Sequence, residues 1–577
     1  MVMATGSAMG SPAQQGTALC DLNLVNCTII DVFAGRFLPH STISIRNGRI
    51  AGINDNLEAR KTEDMGGAYV APGLIDAHVH IESSLLPPCE YARIVMPHGT
   101  TAVIADPHEI VNVLGYDGMR YMLNASQDLP LDVFFMIPSC VPATDFDSAG
   151  ASFYASDMYP FLQDARVLGL GEVMNYPGVL KRDPSLLDKI ALFRNAGKPI
   201  DGHAPGLSGA DLSTYISEGI GSDHECTTPG EALEKVSKGM YIMLREGSTA
   251  RDLRQLLPAV TKESATRFMF CSDDRHSNDL RDEGHIDFCL RLSLKNGMDP
   301  ISAFRIACMN APEWFGIKDM GAIRPGYKAD LVCFSSFEDF HAERVYKNGK
   351  LVAQNGQLAI EMPKLAPSIR DSVNIKWLTS DDFIIPDKGK KVRVIEAKPD
   401  SILTENRVVE PLVKNGACVS DLERDILKLF VIERHTGSGN IGKGFISGLG
   451  LKRGALGSTI SHDSHNMIIA GVDDVSIFKA ARHLNKIKGG LVFTIGDQVV
   501  LDLPLPIAGL MSDKDADFVI ERLKAFDVVY HEEGMLNPEP LMALSFMALP
   551  VIPKLKLTDR GLVDVEHFTT VDLYVDD

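Results

Sequence analysis

The chain has 577 residues, too many for one hydrophobic core, so two to four domains are expected. It is 45% hydrophobic and 23% charged, an ordinary globular balance. A net charge of −19 disfavours binding to DNA or RNA, and no apolar run reaches membrane-spanning length.

The opening residues are small, polar and Gly/Ser/Ala-rich, without the apolar stretch of a secretory signal. Residues 1–19 read as a disordered tail. The ten cysteines are scattered without a C-x-x-C pair. That pattern fits a reduced, cytoplasmic protein and argues against a cysteine-based zinc site.

Residues 20–72 carry short strand-like runs broken by turns. Asn47-Gly48 stands between Ile43-Ser44-Ile45 and Ile50-Ala51-Gly52-Ile53, a strong hairpin signal. A sheet this small needs a partner. The partner is expected after residue 315. There the segment Gly321 to Val332 is followed by a second Asn-Gly hairpin, Asn348-Gly349. Segments 20–72 and 316–370 are therefore expected to form one small β-sandwich. A Pro-containing stretch from Met362 to Pro367 reads as a linker.

Between the two halves, residues 73–315 repeat strand, loop, helix. Strands are expected at 74–80, 100–106, 132–138, 167–173, 198–203, 219–224, 240–245 and 267–272. Helices are expected after Thr228-Pro229-Gly230-Glu231, which has capping-box spacing, and after Asp299-Pro300. Eight such units match the length of a TIM-like (β/α)8 barrel, whose chemistry sits at the C-terminal ends of the strands. Polar residues fall at those ends: His78 and His80, Asp106 with His108 and Glu109, Ser139, Glu172, His203, His224, Arg245, then Asp273 and Asp274.

Residues 371–577 are expected to be an α+β domain, helical over Asp421 to Glu433 and strand-forming over Gly490 to Leu503. The run His435 to Gly444 nearly matches a phosphate-binding loop, but Gly444 stands where Ser or Thr is needed. A loop packed near another domain is the better account. Ser461-His462-Asp463-Ser464-His465-Asn466 is dense in possible ligands. Two readings stay open for it: a solvated turn, or a loop reaching the barrel mouth.

His78 and His80 are spaced i, i+2 on a strand, so both face one way and can grip one ion. Charged Glu172 and Asp273 at the ends of apolar strands need a partner, because buried charge is unfavourable alone. Six candidate ligands, His78, His80, Glu172, His203, His224 and Asp273, exceed the needs of one tetrahedral ion. Two divalent ions are expected. His78 and His80 would hold one, His203 and His224 the other. Glu172 would bridge them, and Asp273 would join the first and face the water.

These motifs resemble the amidohydrolase superfamily and, within it, the bacterial-type adenine deaminases. The likeness rests on Pro72 to Ser84, Asp106 to Ile110, Gly171 to Asn175, Asp201 to Pro205, Ser222 to Glu225 and Cys271 to His276. It extends through the C-terminal region. Relatives that bridge their metals with a carboxylated lysine are disfavoured, because Glu172 occupies that place. The resemblance implies two Mn2+ or Fe2+ ions, with Zn2+ compatible. It implies hydrolytic deamination of free adenine to hypoxanthine and ammonia, in purine salvage or adenine catabolism. Asp273 is then the first choice as proton acceptor. Glu82, His108, Glu109 and Asp274 are candidates for purine binding or proton movement. The expected assembly is a homodimer. The alternatives are another amidohydrolase, acting on a cyclic amide or a different heterocyclic base, and a non-catalytic scaffold of the same fold.

Overall fold

The computed structural model describes residues 19–363, 369–398, 401, 403–537 and 539–575. The expected tail lies outside them except for Leu19, and most of the expected linker over 362–367 does too.

Strands form at all eight expected places. They are β1 (Leu74–Val79), β2 (Thr100–Ala105), β3 (Asp132–Ile137), β4 (Val167–Val173), β5 (Ile200–Gly202), β6 (Ser222–Asp223), β7 (Tyr241–Arg245) and β8 (Phe268–Cys271). They pair in parallel as two sheets, β5-β4-β3-β2-β1 and β6-β7-β8. The sheets are tied at both seams. Asp273 N donates to His78 O at 3.0 Å, and Gly221 N donates to Ile200 O at 3.1 Å. The whole is a curled parallel sheet. Ile75, Ala77, Ala102, Ile104, Met136, Met243 and Met269 pack together inside the curl. Leu74, Val79, Val103 and Ala105 join the core shared with the helices.

Leu74 and Val79 share a side despite their even and odd numbers. The register explains it: three steps from Asp76 to Val79 oppose two steps from Val103 to Ala105. This bulge spans His78 and reverses the alternation there, a local device for re-aiming side chains beside a site.

The segments flanking the curled sheet share one nine-stranded sheet. Leu331–Phe334 pairs antiparallel with Tyr69–Pro72, and Cys20–Asp31 pairs with both Arg36–Arg46 and Ala59–Asp64. Both Asn-Gly turns form, closing Arg46 on Arg49 and Lys347 on Lys350. Positive φ at Asn47, Gly48, Asn348 and Gly349 gives the turn whose twist matches the strands.

The C-terminal region builds a second nine-stranded sheet against the helix Asp474–Ile487. Gly490–Ile495 and Gln498–Pro504 are strands, as expected. The helix expected over 421–433 is not there: Ile426–Ile432 is a strand, paired on both sides. All seven of its residues are buried, so its sequence lacks the alternation that marks a half-exposed strand. The glycine-rich loop is no phosphate site either. Its amides already serve an anion: Glu433 accepts from Thr436 N at 2.6 Å and from Ser438 N at 2.8 Å.

The helix Pro229–Ser237 starts as its sequence dictates, with Thr228 Oγ1 accepting from Glu231 N. It carries Lys235 into the core. Lys235 Nζ bonds Asp223 Oδ2 at 2.9 Å, Glu231 Oε1 at 2.7 Å and Ala204 O at 2.7 Å. Asp223 in turn accepts from Ala204 N. This network fixes the ends of β5 and β6, where His203 and His224 stand. Lys235→Met strands the buried Asp223 charge. It is expected to destabilise the fold by ~3–5 kcal/mol, read from the urea unfolding midpoint. A loss under ~1 kcal/mol, the scale of a surface pair, contradicts this.

Candidate metal centre

The ends of β1, β4, β5, β6 and β8 bring the six candidate ligands together. His78 Nδ1 lies 3.1 Å from Asp201 Oδ2, and His80 Nδ1 lies 2.8 Å from the Asp106 carbonyl oxygen. Both acceptors draw the ring proton to Nδ1, which leaves Nε2 as a lone pair. The two Nε2 atoms face each other at 3.2 Å. Two lone pairs at that distance repel unless a proton or a cation lies between them.

Glu172 straddles the histidines. Its Oε1 lies 3.2 Å from His80 Nε2 and 3.7 Å from His78 Nε2. Its Oε2 lies 2.6 Å from His203 Nδ1 and 3.3 Å from His224 Nε2. Asp273 presents Oδ1 to His80 Nε2 at 3.0 Å, while Arg245 Nη1 holds its Oδ2 at 2.9 Å. All six side chains are buried.

Burial should drive such charges out, yet the groups hold one another ionised. Burial lowers the pKa of His224, but Glu172, Asp273 and Glu225 together outweigh it and carry the ring up to about 10. Burial and His108 act against the charge of His80, but Asp273 and Glu172 keep its pKa well above the usual value. Burial raises the Glu172 carboxyl, and His224, His108 and His203 bring it well below the ordinary range. Without a cation, protons do the work of positive charge.

The donor set fits a pair of divalent ions. It consists of imidazole nitrogens and carboxylate oxygens, suited to Mn2+, Fe2+ or Zn2+. Two overlapping ligand groups form, His78-His80-Glu172 and Glu172-His203-His224, with one Glu172 oxygen in reach of each.

The centre floors a small cavity, lined by His80, Glu172, His203, His224 and Asp273 from the strand ends. Of the further candidates, His108 and Asp274 line this cavity. His108 Nδ1 lies 3.3 Å from Glu172 Oε1, and Asp274 Oδ1 accepts from Ser83 Oγ. Glu82 and Glu109 are buried and are not among the lining residues. Glu82 takes the Ile110 amide, and burial, aided by Glu109, pushes its pKa up to about 7.

Sequence reasoning missed several parts. Asp201 stands two residues before His203 on one strand, and that spacing was the available signal. The pairing of Arg245 with Glu225 and Asp273 had none beyond its place at a strand end. The opposite wall comes from the C-terminal region: His462, Asp463, Phe546, Leu549 and Ile552. Of the two readings of Ser461–Asn466, the solvated turn is excluded, because all six residues are buried.

Binding of cations must displace protons from His80, His203 and His224, whose pKa values are all raised. Mn2+ loading of the metal-free protein is therefore expected to release protons, and its affinity to fall as pH drops from about 8 to about 6.5. Calorimetry in two buffers of different ionisation enthalpy reads both. Affinity independent of pH contradicts the assignment.

Comparison with known proteins matches residues 69–352 to the amidohydrolase family and residues 401–569 to the adenine deaminase C-terminal domain. An adenine deaminase of Desulfatibacillum aliphaticivorans is 46% identical over 97% of this chain and 98% of its own length. One from Nitratidesulfovibrio vulgaris is 47% identical over 96% and 97%. Another, from Geobacillus kaustophilus, is 46% identical over 95% and 96%.

Proposed function

This chain belongs to the adenine deaminase family of the amidohydrolases, and on that premise we propose that it hydrolyses free adenine to hypoxanthine and ammonia. The observation that carries the reading is Glu172, whose two oxygens each face a histidine pair at the floor of a cavity.

His78, His80 and Asp273 would hold one cation, His203 and His224 the other, with Glu172 between them. Such a pair, Mn2+ or Fe2+ on this reading, supplies the positive charge that makes hydroxide available from water near neutral pH. The protein's own groups do the rest. Attack at C6 of adenine requires a proton to leave the water. Asp273 is placed to accept it, with Oδ1 toward the centre and Oδ2 fixed by Arg245. N1 of the ring must gain a proton as C6 becomes tetrahedral, and the exocyclic nitrogen needs one to depart as ammonia. His108 and Asp274, which line the cavity, are the groups we assign to these transfers and to holding the base. Glu82 and Glu109 act through their neighbours.

The same reading takes the eight strands as a complete (β/α)8 barrel over 73–315, supported by the bonds at both seams. It keeps segments 20–72 and 316–370 as one β-sandwich and 371–577 as an α+β domain. It places the enzyme in the cytoplasm, acting in purine salvage as a homodimer. All ten cysteines are free and buried, which fits a reducing compartment. Among the described residues no helix is long and apolar enough to cross a membrane.

Manganese-loaded protein is expected to release ammonia from adenine and to leave adenosine untouched. Glu172→Gln is expected to hold fewer than two equivalents of metal and to lose at least ~10²-fold in kcat/KM. Ring opening of a cyclic amide without ammonia release, or a fully active Glu172→Gln protein with two bound ions, defeats the reading.

A further inference from the structure

The six donors leave a second group of buried ionisable side chains unexplained beside the same cavity, of which His462 lines it. Glu109, His462 and His465 converge within ligand distance of one another. His462 and His465 stand on the C-terminal loop, while Glu109 follows β2. His462 Nδ1 lies 2.8 Å from Glu109 Oε1, and His465 Nε2 pairs with Glu109 Oε2. His465 Nδ1 accepts the Ser461 amide at 3.2 Å, which puts the proton of the neutral ring on Nε2, toward Glu109. The arrangement is therefore a carboxylate held between two imidazoles.

Its effect is to fix His462. The Glu109 carboxylate, at ion-pair distance from Nδ1 though outside hydrogen-bond geometry, favours the His462 proton on that nitrogen. The ring also stacks on Phe546, with centroids 4.7 Å apart and planes 17° apart. Orientation is thus set from an edge and a face. The other nitrogen, Nε2, is buried and has no hydrogen-bond partner among the described residues. A buried polar atom left so calls for an explanation, and a ligand supplies one. His462 lines the cavity beside Phe546, Leu549 and Ile552, opposite the metal ligands. That wall is apolar apart from His462 and Asp463. A flat heteroaromatic base presents the matching chemistry: apolar faces and hydrogen-bonding ring nitrogens at its edge.

We propose that His462 is a substrate-binding residue contributed by the C-terminal region, its Nε2 hydrogen-bonded to a ring nitrogen of the purine, with Glu109 as its positioning residue. The inference rests on the adenine reading above. On it, the C-terminal region both closes the cavity and recognises the base.

The test compares wild type with His462→Phe, which keeps a ring against Phe546, and His462→Gln, which restores a hydrogen-bonding group. The substrates and competitors are adenine, 3-deazaadenine, 7-deazaadenine and 9-methyladenine. Each analogue alters one edge position. His462→Phe is expected to raise KM for adenine by ~10–10²-fold, with kcat within about threefold and bound metal unchanged. His462→Gln is expected to recover part of the loss. One analogue should bind worse than adenine to wild type yet no worse than adenine to His462→Phe, because the two changes remove the same bond. Unchanged KM overturns the proposal. So does a parallel fall of kcat, affinity for every analogue and metal content in both variants, which marks a purely structural role. A third equivalent of metal in wild type that disappears with His462 also overturns it. If wild type releases no ammonia from adenine, the functional reading itself falls. If wild type does so and His462→Phe matches it, only this inference falls.

Discussion

Everything at this site depends on one carboxylate shared between two sets of imidazoles. Glu172 is buried at the end of β4, with Oε1 toward His78 and His80 and Oε2 toward His203 and His224. An anion in that position is tolerable only if positive charge surrounds it. Protons on the imidazoles can supply that charge, and one of them can lie between His78 Nε2 and His80 Nε2, which face each other at 3.2 Å. A pair of cations would meet both constraints as well. It would neutralise the carboxylates and give each inward lone pair a partner.

The rest of the fold holds this arrangement rigid. Asp201 and the Asp106 carbonyl set the ring protons of His78 and His80. Arg245 fixes one oxygen of Asp273, and Lys235 secures the ends of β5 and β6 through Asp223. These groups lie on separate parallel strands or the elements next to them, so the curl of the sheet brings them to one point. The bulge between Asp76 and Val79 in β1 falls at His78, where the strand reaches the site. The C-terminal region then covers the opening with an apolar wall carrying His462.

Much of this was legible in the sequence, for physical reasons. Most strands of the curled sheet are short apolar runs with polar residues at or just after their C-terminal ends, and all eight form where the pattern placed them. The Asn-Gly turns could be read because few residues adopt the required positive φ. The six ligand candidates stood out because charge at the end of a buried strand needs a reason. What failed also has a cause. Ile426–Ile432 is buried on both faces, so its pattern does not separate strand from helix. Phe546, Leu549 and Ile552 carry no motif in the sequence, and the fold brings them to the cavity.

Anomalous diffraction at the manganese edge, from crystals grown with Mn2+, tests the shared carboxylate without relying on activity. Two peaks are expected flanking Glu172, one beside His78, His80 and Asp273, the other beside His203 and His224. A map without manganese there, or with it only at Glu109 and His465, contradicts the two-cation centre.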